Sequence, residues 1–516
     1  MDTILILDFG GQYTHLISRR VRAMSVYTEI LPYDCGTESI SKLHPSGVIL
    51  SGGPSSVYEK DSPKIEKETV DWISRNNISL LGLCYGHQVL AQVLGGRVEK
   101  SRTKEYGKKE LAVAGAGRLL KGIGKTETVW MSHGDHVVKP PKGCKAVAST
   151  DSCPVAAYEG ENIFGVQFHP EVRHTPCGEK ILKNFVFEIC GCKPDWVIGD
   201  FIEKAVSGLK KEVGCEKVIM GLSGGVDSSV AAALIHEAIG DRLHCVFVDH
   251  GLMRKNEAEE VEKLFMDHIG FKNFHVVNAQ EEFMSRLEGV SDPEAKRKII
   301  GELFIRAFEK KTGELLHEFG DIKFLGQGTI YPDRVESAAT SKSASVIKSH
   351  HNVALPNDMK LKLVEPLNDL YKDEVRLVGE KLGLPRELVR RQPFPGPGLA
   401  VRCLGAVTPE KIRMLREADA IIDEEIRKAD LYEKLWQSFA VFLPVKSVGV
   451  MGDARTYENV IALRAVESDD VMTANWAKLP YEVLGAISNR IVNEVRGINR
   501  VVYDITQKPP GTVEWE

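Results

Sequence analysis

A glycine- and serine-rich segment near the middle of the chain places the strongest constraint on its fold. The apolar run at residues 218–220 leads into residues 221–229, and the small apolar residues 231–235 follow. This order predicts a buried strand, a tight turn and a helix. Adjacent glycines allow close approach of a ligand, and the N–H groups of the turn and of the helix N-terminus would point at one anion. The alternative is a strand–helix turn that binds nothing.

The side chains of this turn add to its phosphate-binding character. Its serine hydroxyls could donate to phosphate oxygens, and Asp227 could bind a metal ion carried by a phosphate group. The turn lacks the Gly-Lys-Ser/Thr ending of a Walker A loop. Its Ser-Gly-Gly-Val-Asp-Ser-Ser instead resembles the pyrophosphate loop of the N-type ATP pyrophosphatases, which cleave ATP between the α and β phosphates. The resemblance implies Mg²⁺ bound with ATP at Asp227. It also implies ATP contacts from Ser223, Gly224, Gly225, Val226, Asp227, Ser228 and Ser229.

The composition is typical of a globular protein with several domains. The 516 residues are 43% hydrophobic and 27% charged, and the formal net charge is −5. This length predicts about two to four domains. The mixed charge gives no general affinity for nucleic acid, and no apolar run is long enough to cross a bilayer, so we expect neither as a partner. The N-terminus has no signal-peptide pattern and the ten cysteines form no CxxC pair, so we expect a reducing cytoplasm as the location.

Residues 1–190 predict an α/β domain with a parallel sheet. Short apolar runs at residues 4–7, 47–50 and 79–83 indicate buried strands, and they alternate with helical patterns. Cys84 follows the third run and lies between two glycines, with a helical pattern after it. This Gly-x-Cys-x-Gly spacing is typical of a nucleophile elbow, in which the helix N-terminus favours the thiolate.

A general base for Cys84 is predicted later in the same domain. An apolar run before His169 indicates a strand, so His169 would lie at a strand's C-terminal end, where the catalytic groups of such sheets collect. Glu171 can hold the imidazole in the correct tautomer, and backbone N–H groups of Gly53 and Tyr85 could stabilise an oxyanion. A single buried cysteine is usually a core residue, and a single His-Pro is usually a surface loop. The two motifs together favour a Cys-His-Glu triad.

Three segments of this domain resemble the signatures of class I glutamine amidotransferases. They are Ser-Gly-Gly-Pro at 51–54, Gly-Leu-Cys-Tyr-Gly-His-Gln at 82–88 and His-Pro-Glu at 169–171. The resemblance implies that Cys84 attacks the side-chain amide of glutamine, releases ammonia and forms a glutamyl thioester. It also implies that the glutamine pocket includes Gln88, Ser132 and His133.

Residues 191–390 predict a second α/β domain, built around the phosphate loop. A helix is expected over 195–213, and the strand after the loop begins at residue 243. In the resembled family this strand lies along the adenine, which implies Val248 and Leu252 as adenine neighbours. Packing in the sheet core is an equally good interpretation. The cluster Lys296-Arg297-Lys298 is either a solvated helix face or a binding site for a substrate phosphate. The polar segment around residues 348–360 has the character of a lid, and we expect Lys348 and Lys360 to meet ATP phosphates when it closes.

Residues 391–516 predict a small α+β domain after a Pro- and Gly-rich connection. Thr408 and Pro409 indicate the start of a helix that runs to about residue 428. Strands are expected over 438–450, 460–466 and 500–505, and a second helix over 479–495. The last residues, Lys-Pro-Pro-Gly-Thr-Val-Glu-Trp-Glu, contain a rigid Pro-Pro and a bulky Trp, which predicts a tail held against the domain.

The connection at 391–404, the segment 449–453 and the tail resemble the C-terminal domain of the GMP synthetase family. With the two preceding domains, the resemblance covers essentially the whole chain in that family's domain order. It implies that the third domain forms a homodimer and completes a site for xanthylate (XMP). The implied XMP contacts are Arg297, Asp333, Lys508 and Glu514.

The resulting prediction is an α/β protein with two parallel-sheet domains and a small α+β domain. The first domain is amidotransferase-like and the second resembles the adenine-nucleotide alpha-hydrolases. The resemblance implies ATP-dependent amination of XMP with ammonia from glutamine. One alternative is an enzyme of the same loop family with another acceptor, such as deamido-NAD, which the tail argues against. Another is a catalytically silent nucleotide-binding protein, which the triad and Asp227 argue against.

Overall fold

The computed structural model describes residues 1–115, 117–340, 361–451, 454–468 and 473–516. The chain divides into two compact units. Residues Met1–Phe201, with a short piece that begins at Val335, form the first unit, and Ile202–Arg334 with the chain from residue 361 onward form the second. The domain boundaries at residues 190 and 390 stay a prediction, and the latter lies inside the second unit. Among the described helices, none combines the length and the apolar character that a membrane span needs.

The first unit is built on a nine-stranded sheet. Its strands are β1 (Thr3–Asp8), β2 (Tyr27–Pro32), β3 (Gly47–Leu50), β4 (Ser79–Leu83), β5 (Arg97–Val113), β6 (Thr126–Lys139), β7 (Lys145–Ser149), β8 (Ala157–Glu159) and β9 (Ile163–Val166). Its helices are α1 (Thr14–Arg22), α2 (Thr37–Leu43), α3 (Lys67–Arg75), α4 (Tyr85–Val93) and α5 (Gly178–Lys183), which continues as the π-helical turn Asn184–Ile189.

The order of the strands places the C-terminal ends of three parallel strands side by side at one edge of the sheet. The order is β2-β1-β3-β4-β9-β8-β7-β5-β6, and the first five strands run parallel. Leu50 of β3 lies beside Gly82 of β4, and Leu83 of β4 lies beside Val166 of β9. The residues that follow these strands therefore emerge side by side. They include both predicted catalytic segments, which the sequence separates by more than 80 positions.

The antiparallel half of this sheet was not predicted. Strands β5 and β6 form a long antiparallel pair, and β7 and β8 join it to β9. Buried and partly exposed residues alternate along β6, as expected for a strand with one buried face. Two of its buried positions hold the polar residues His133 and Asp135, so the apolar alternation that would reveal the strand is interrupted. Neither residue looks like a core position from the sequence alone.

The second unit begins with an all-parallel sheet in the order β12-β11-β10-β13-β14. Its strands are β10 (Lys217–Leu222), β11 (Leu243–Asp249), β12 (Phe274–Asn278), β13 (Ile322–Gly326) and β14 (Lys362–Val364). The helices of this part of the chain are α6 (Ile198–Val213), α7 (Val226–Ile239), α8 (Glu257–Lys263), α9 (Gln280–Leu287), α10 (Pro293–Phe319), α11 (Tyr331–Thr340), α12 (Lys372–Lys381) and α13 (Arg386–Val389). The loop between β10 and α7 is the predicted phosphate loop, and it follows the central strand of the sheet.

The C-terminal part of the second unit is α+β, as predicted. Its elements are α14 (Pro409–Lys428), β15 (Gln437–Met451), β16 (Ala454–Glu467), β17 (Asn475–Trp476), α15 (Tyr481–Glu494) and β18 (Ile498–Tyr503). Thr408 caps α14, since its hydroxyl accepts a hydrogen bond from the Lys411 N–H at 3.3 Å. Strands β15 and β16 form a long antiparallel hairpin, and β18 pairs with β16 in parallel.

The C-terminal tail is held against this sheet, as its sequence predicted. The buried guanidinium of Arg464 donates to the carbonyl oxygens of Thr506 and Thr512 at 2.6 and 2.9 Å. The Trp515 indole N–H donates to Asp504 at 2.9 Å. Hydrogen bonds to a buried charged group are among the stronger ones in proteins, so these contacts fix the backbone of the tail.

Candidate active sites

The backbone around Cys84 has the strained geometry of a nucleophile elbow. Cys84 has φ +51°, in a region that residues with a Cβ rarely adopt, and it directly precedes α4. A Cβ on Gly82 would lie 2.5 Å from the Gly86 carbonyl oxygen, and one on Gly86 would lie 2.5 Å from that of Leu50. Both positions therefore require glycine. This close packing of the turn on β3 holds the sulfur at the edge where the parallel strands end.

His169 and Glu171 form a buried pair at the same edge. His169 Nδ1 lies 2.7 Å from Glu171 Oε1, and the two side chains are 6% and 1% exposed. The His169 carbonyl oxygen accepts a hydrogen bond from Thr175 Oγ1 at 2.7 Å, and the ring of Tyr13 packs edge-on against the imidazole. Because the carboxylate accepts the Nδ1 proton, Nε2 is the nitrogen left to exchange a proton with a reacting group.

Cys84 and His169 flank a common gap. A Cβ placed on Gly52 would lie 3.4 Å from His169 Cε1 and 3.8 Å from Cys84 Cβ, so the bare Cα of Gly52 borders the space between them. Burial lowers the pKa of His169. The charges of Glu171 and Cys84, and hydrogen bonds with both, raise this pKa by more than burial lowers it. The net pKa lies well above the ordinary value. The site thus stabilises an imidazolium beside the sulfur, which is the charge state a cysteine nucleophile needs.

The predicted oxyanion donors Gly53 and Tyr85 lie next to each other. A Cβ on Gly53 would lie 3.1 Å from Tyr85 Cδ1 and 2.9 Å from the Phe9 carbonyl oxygen. The Tyr85 hydroxyl donates to the Pro63 carbonyl oxygen at 2.7 Å, which anchors the first residue of α4. The structure therefore brings the two backbone segments together beside the nucleophile.

The three residues predicted to line the glutamine pocket lie on α4 and β6. Gln88, one turn into α4, is buried and donates from Nε2 to the Asp135 carbonyl oxygen at 2.7 Å. Ser132 contributes its carbonyl oxygen, which lies 3.6 Å from Cys84 Sγ. His133 is buried, with Nδ1 at 2.9 Å from the Asp135 carbonyl oxygen and Nε2 at 2.9 Å from Glu105 Oε2. Both ring nitrogens of His133 therefore have protein partners, and the role of His133 in binding glutamine stays a prediction.

Glu105 is a buried carboxylate that no motif in the sequence predicts. Its oxygens accept hydrogen bonds from Thr150 and Ser152 as well as facing His133. Burial raises the pKa of Glu105, but the hydrogen bonds from Ser152 and Thr150 and the neighbouring His133 together lower it more, so the net shift is downward. One potential ligand atom from each of Glu105, His133 and Cys153 lies within 4.8 Å of the other two, a spacing that could hold a metal ion. The hydrogen bonds to Glu105 already satisfy this cluster, so we interpret it as a structural support for β6.

In the second unit, the loop between β10 and α7 has the geometry expected of an anion-binding turn. Gly224 has φ +72°, and Gly225 is the N-cap of α7. The Ser223 and Ser228 hydroxyl oxygens lie 3.0 Å apart, and the Ser229 hydroxyl donates to the Gly225 carbonyl oxygen at 2.7 Å. The hydroxyls of Ser223 and Ser228 therefore converge at the helix N-terminus, where the helix dipole favours an anion.

Asp227, in the first turn of α7, offers one carboxylate oxygen to a ligand. Lys372 Nζ donates to Oδ2 at 2.6 Å. Oδ1 is buried and accepts no hydrogen bond from the described residues. Carboxylate oxygens are the ligands that Mg²⁺ prefers, so this orphaned oxygen fits a metal ion that arrives with nucleotide phosphates.

Val248 and Leu252 lie in the hydrophobic core of the second unit. They are 1% and 0% exposed and belong to one cluster of buried apolar residues. The backbone N–H of Leu399 donates a hydrogen bond to the Leu252 carbonyl oxygen at 2.8 Å. In this structure the core-packing interpretation therefore describes both side chains. The role of Val248 and Leu252 as adenine neighbours stays a prediction.

The predicted XMP residues are only partly brought together. The Glu514 carboxylate pairs with the Arg402 guanidinium through two hydrogen bonds of 3.0 and 2.9 Å. Arg297, on α10, donates to the backbone carbonyl oxygen of Glu516, so it also contacts the tail. The backbone of Lys508 pairs with that of Ala474. Asp333 instead accepts a hydrogen bond from the Ile330 N–H at the start of α11.

Several further contacts at the sites were not predicted from the sequence. Lys372 reaches Asp227 across 145 positions, and Arg402 reaches Glu514 across 112. Arg391 donates to the Gly224 carbonyl oxygen at 3.2 Å and pairs with Glu257 at 2.8 Å. Arg391 and Arg402 belong to the connection at 391–404, whose resemblance marks the segment but not their partners, and Lys372 belongs to no motif that the sequence analysis found. The two predicted lid residues, Lys348 and Lys360, lie outside the described residues.

Comparisons with known proteins match all three parts of the chain. The class I glutamine amidotransferase family matches residues 5–189, the NAD synthase family matches residues 197–298, and the GMP synthase C-terminal domain family matches residues 424–515. The GMP synthase [glutamine-hydrolyzing] of Clostridium perfringens is 54% identical over 519 residues, covering 100% of both chains. The chain belongs to the glutamine-hydrolysing GMP synthase family.

Another relative of the same name matches nearly the full length of this chain. The GMP synthase [glutamine-hydrolyzing] of Carboxydothermus hydrogenoformans is 55% identical over 516 residues and covers 99% of each chain. Among solved structures, a glutamine amidotransferase from Thermotoga maritima is 21% identical, with a TM-score of 0.29, over 37% of this chain and 86% of its own. The match to the NAD synthase family over the phosphate loop agrees with the ATP pyrophosphatase resemblance, and the C-terminal match distinguishes this family within that group.

Proposed function

We propose that the chain makes GMP from XMP, ATP and ammonia, and that it takes the ammonia from glutamine. The observation that carries this proposal is the convergence of Cys84, His169 and Glu171 at one sheet edge, in a chain whose full-length relatives are named GMP synthases. A glutaminase triad and a phosphate loop on one chain supply the two half-reactions that this synthesis requires.

In the first half-reaction, Cys84 acts as the nucleophile. Its thiolate attacks the side-chain carbonyl carbon of glutamine, and the N–H groups of Gly53 and Tyr85 stabilise the oxyanion. His169 donates its proton to the departing nitrogen, which leaves as ammonia. His169 then takes a proton from water, which attacks the thioester and releases glutamate. Glu171 keeps the imidazole oriented and stabilises its protonated form throughout.

In the second half-reaction, the phosphate loop holds ATP while an oxygen of XMP attacks the α phosphorus. The O2 atom of XMP forms the new bond to phosphorus, pyrophosphate leaves, and an adenylyl-XMP intermediate results. Ammonia attacks C2, and the oxygen departs with AMP. Ser223, Ser228 and the N-terminus of α7 stabilise the pyrophosphate. Mg²⁺ bound with ATP supplies charge neutralisation, and Asp227 is the residue that would hold it.

The Asp227 assignment has a direct test. We expect Asp227→Asn to raise the Mg²⁺ concentration needed for half-maximal ammonium-dependent GMP formation by at least about 10-fold, since a neutral amide oxygen is a weaker ligand. A matched control is Asp241→Asn, which removes an exposed carboxylate paired with Lys272 in the same unit. An unchanged Mg²⁺ requirement in Asp227→Asn would contradict the metal assignment while leaving the overall function intact.

The acceptor is tested by substitution of the substrate. Wild-type protein should release AMP from ATP when XMP is present and should not do so when deamido-NAD replaces XMP. We expect Glu514, Arg297, Lys508 and Asp333 to contact XMP. In support, Glu514 belongs to the tail and Arg297 donates a hydrogen bond to Glu516 of the same tail. AMP release with deamido-NAD alone would overturn the acceptor assignment.

We also propose that the β15–β16 hairpin forms a homodimer interface. The apolar residues Val448, Val450 and Tyr457 lie on one face of the hairpin and are 51%, 72% and 62% exposed. Exposed apolar clusters of this kind are typical of interfaces. Val450→Asp should shift the sedimenting species towards the monomer, and Val197→Asp in the first unit should not. A dimer that persists in Val450→Asp at micromolar concentration would refute this interface.

We place the enzyme in the cytoplasm, where its ten free cysteines would stay reduced.

A further inference from the structure

Gln167 is a buried polar residue that the proposed mechanism does not use. It directly follows β9 and lies two residues before His169. Its side chain is 0% exposed, and its backbone N–H donates to the Ala156 carbonyl oxygen at 2.8 Å. A fully buried amide is costly unless both of its ends are hydrogen-bonded, so the partners of Gln167 indicate what holds it there.

Both ends of the Gln167 amide contact residues of the glutaminase site. Its Oε1 accepts a hydrogen bond from Gln88 Nε2 at 3.1 Å. Its Nε2 lies 3.8 Å from Cys84 Sγ, within the longer range of hydrogen bonds to sulfur. One amide therefore joins a residue of the predicted glutamine pocket to the nucleophile.

The orientation of this amide follows from its neighbours. Gln88 Nε2 donates one hydrogen to the Asp135 carbonyl oxygen at 2.7 Å, and a carbonyl oxygen can only accept. The second hydrogen of Gln88 Nε2 then requires an acceptor, which is Gln167 Oε1. Gln167 must in turn direct its NH₂ group towards Cys84. With both of its hydrogens committed, Gln88 can present only its carbonyl oxygen to the substrate.

Cys84 has two different partners for its two protonation states. The Ser132 carbonyl oxygen, 3.6 Å from Sγ, can accept a hydrogen bond from a thiol but repels a thiolate. The NH₂ group of Gln167 can donate to a thiolate. Among the described residues, the titratable groups that face Cys84 are His169 and Cys153. Burial, together with Glu105, raises the pKa of Cys153 to about 12, so Cys153 stays neutral, and His169 with Glu171 behind it supplies the positive charge.

We propose that Gln167 is a positioning residue for glutamine hydrolysis, which donates a hydrogen bond to the Cys84 thiolate and fixes the carbonyl oxygen of Gln88 towards the substrate. The inference rests on the proposed glutaminase reaction. Gln167 itself touches neither the glutamine nor its leaving ammonia in this account. It acts through Cys84 and Gln88, and its loss should therefore affect both the nucleophile and the binding of glutamine.

Two variants of similar size separate these effects. Gln167→Glu keeps an acceptor for Gln88 but replaces the donor to sulfur with a negative charge. Gln167→Met removes both hydrogen bonds without adding charge. Gln92→Leu, an exposed change on the same helix as Gln88, is the control. The measurements are glutamine-dependent and ammonium-dependent GMP formation, and the pH dependence of Cys84 alkylation by iodoacetamide.

We expect the pH of half-maximal alkylation to rise in the order wild type, Gln167→Met, Gln167→Glu. The glutamine-dependent kcat should fall about 10- to 100-fold in both variants, the range for a lost hydrogen bond to a charged group. The KM for glutamine should rise mainly in Gln167→Met, where Gln88 loses its partner. Ammonium-dependent synthesis and the control variant should match wild type.

The outcomes distinguish the inference from the proposed function. Overlapping alkylation curves with glutamine-dependent rates within about 2-fold of wild type would overturn the role of Gln167, since a lost hydrogen bond to a charged group costs more. Absence of glutamine-dependent synthesis in the wild type would overturn the proposed glutaminase reaction instead. Thermal unfolding shows whether each variant folds. If Gln167→Met does not fold, the alkylation curve of Gln167→Glu decides, and if Gln167→Glu does not fold, the curve of Gln167→Met decides.

Discussion

Replacing Glu171 with glutamine isolates the contribution of one buried charge to glutamine hydrolysis. In Glu171→Gln, the amide oxygen of the new side chain could still accept the hydrogen bond from His169 Nδ1, so the geometry is retained and the negative charge is lost. The two native side chains are nearly inaccessible to water, and the pair lies 2.7 Å apart between Nδ1 and Oε1. Two unit charges centred about 4 Å apart interact by about 4 kcal/mol at an effective dielectric constant of about 20.

This energy stabilises the imidazolium that forms when Cys84 loses its proton. Loss of about 4 kcal/mol corresponds to about a 10³-fold fall in kcat/KM for glutamine. Because Glu171 raises the pKa of His169, the imidazolium normally persists to higher pH than it would alone. The Glu171→Gln variant should therefore also lose activity at lower pH on the alkaline side of its profile.

The assay compares glutamine-dependent and ammonium-dependent GMP formation in one preparation. Only the former should fall, because ammonium bypasses the triad. Glu179→Gln is the matched control, since it removes an exposed carboxylate paired with Lys183 in the same unit. A glutamine-dependent kcat/KM within about 3-fold of wild type in Glu171→Gln, or an equal loss in the control, would refute the electrostatic role of Glu171.

Two further predictions concern the packing that supports the sites. Gly86→Ala places a Cβ 2.5 Å from the Leu50 carbonyl oxygen, so we expect destabilisation of about 1–3 kcal/mol or more, seen as a lower midpoint of thermal unfolding and a loss of glutaminase activity. In the control Gly199→Ala, the added Cβ has no atom within 4 Å, so the unfolding midpoint and the glutaminase activity should stay unchanged. Equal midpoints for the two variants would contradict this prediction. Arg402→Lys breaks the two hydrogen bonds from the buried Arg402 guanidinium to Glu514 and should raise the KM for XMP at least about 10-fold, measured with ammonium. The same change in the exposed pair at Arg386 should leave the KM unchanged, since an exposed ion pair contributes little. An unchanged KM in Arg402→Lys would argue against a nucleotide site at Glu514.

The sequence predicts those parts of the sites that depend on local geometry. The elbow at Cys84 is recognisable because a sharp strand–helix turn needs glycine at fixed positions on either side, and the structure shows both close contacts. The phosphate loop is recognisable for the same reason. His169 and Glu171 are two residues apart, so a single short motif carries the base and its partner.

The remainder depends on contacts between distant parts of the chain. Gln167, Glu105 and Lys372 act through partners that lie 28 to 145 positions away, and no local pattern records such pairs. The antiparallel strands β5 and β6 escaped prediction because polar residues occupy buried positions where they form hydrogen bonds. Val248 and Leu252 illustrate a different difficulty. An apolar residue at or after the end of a strand has the same sequence pattern whether it packs in the core or contacts a bound nucleotide.

The most direct test of two separable reactions on one chain is AMP and GMP formation from ATP and XMP, with either glutamine or ammonium as the nitrogen source. Wild type should make GMP from both sources, with one AMP for each GMP. Cys84→Ala should make GMP from ammonium at a rate close to wild type and none from glutamine. GMP formation from glutamine by Cys84→Ala, or no XMP-dependent AMP release by the wild type, would contradict the account.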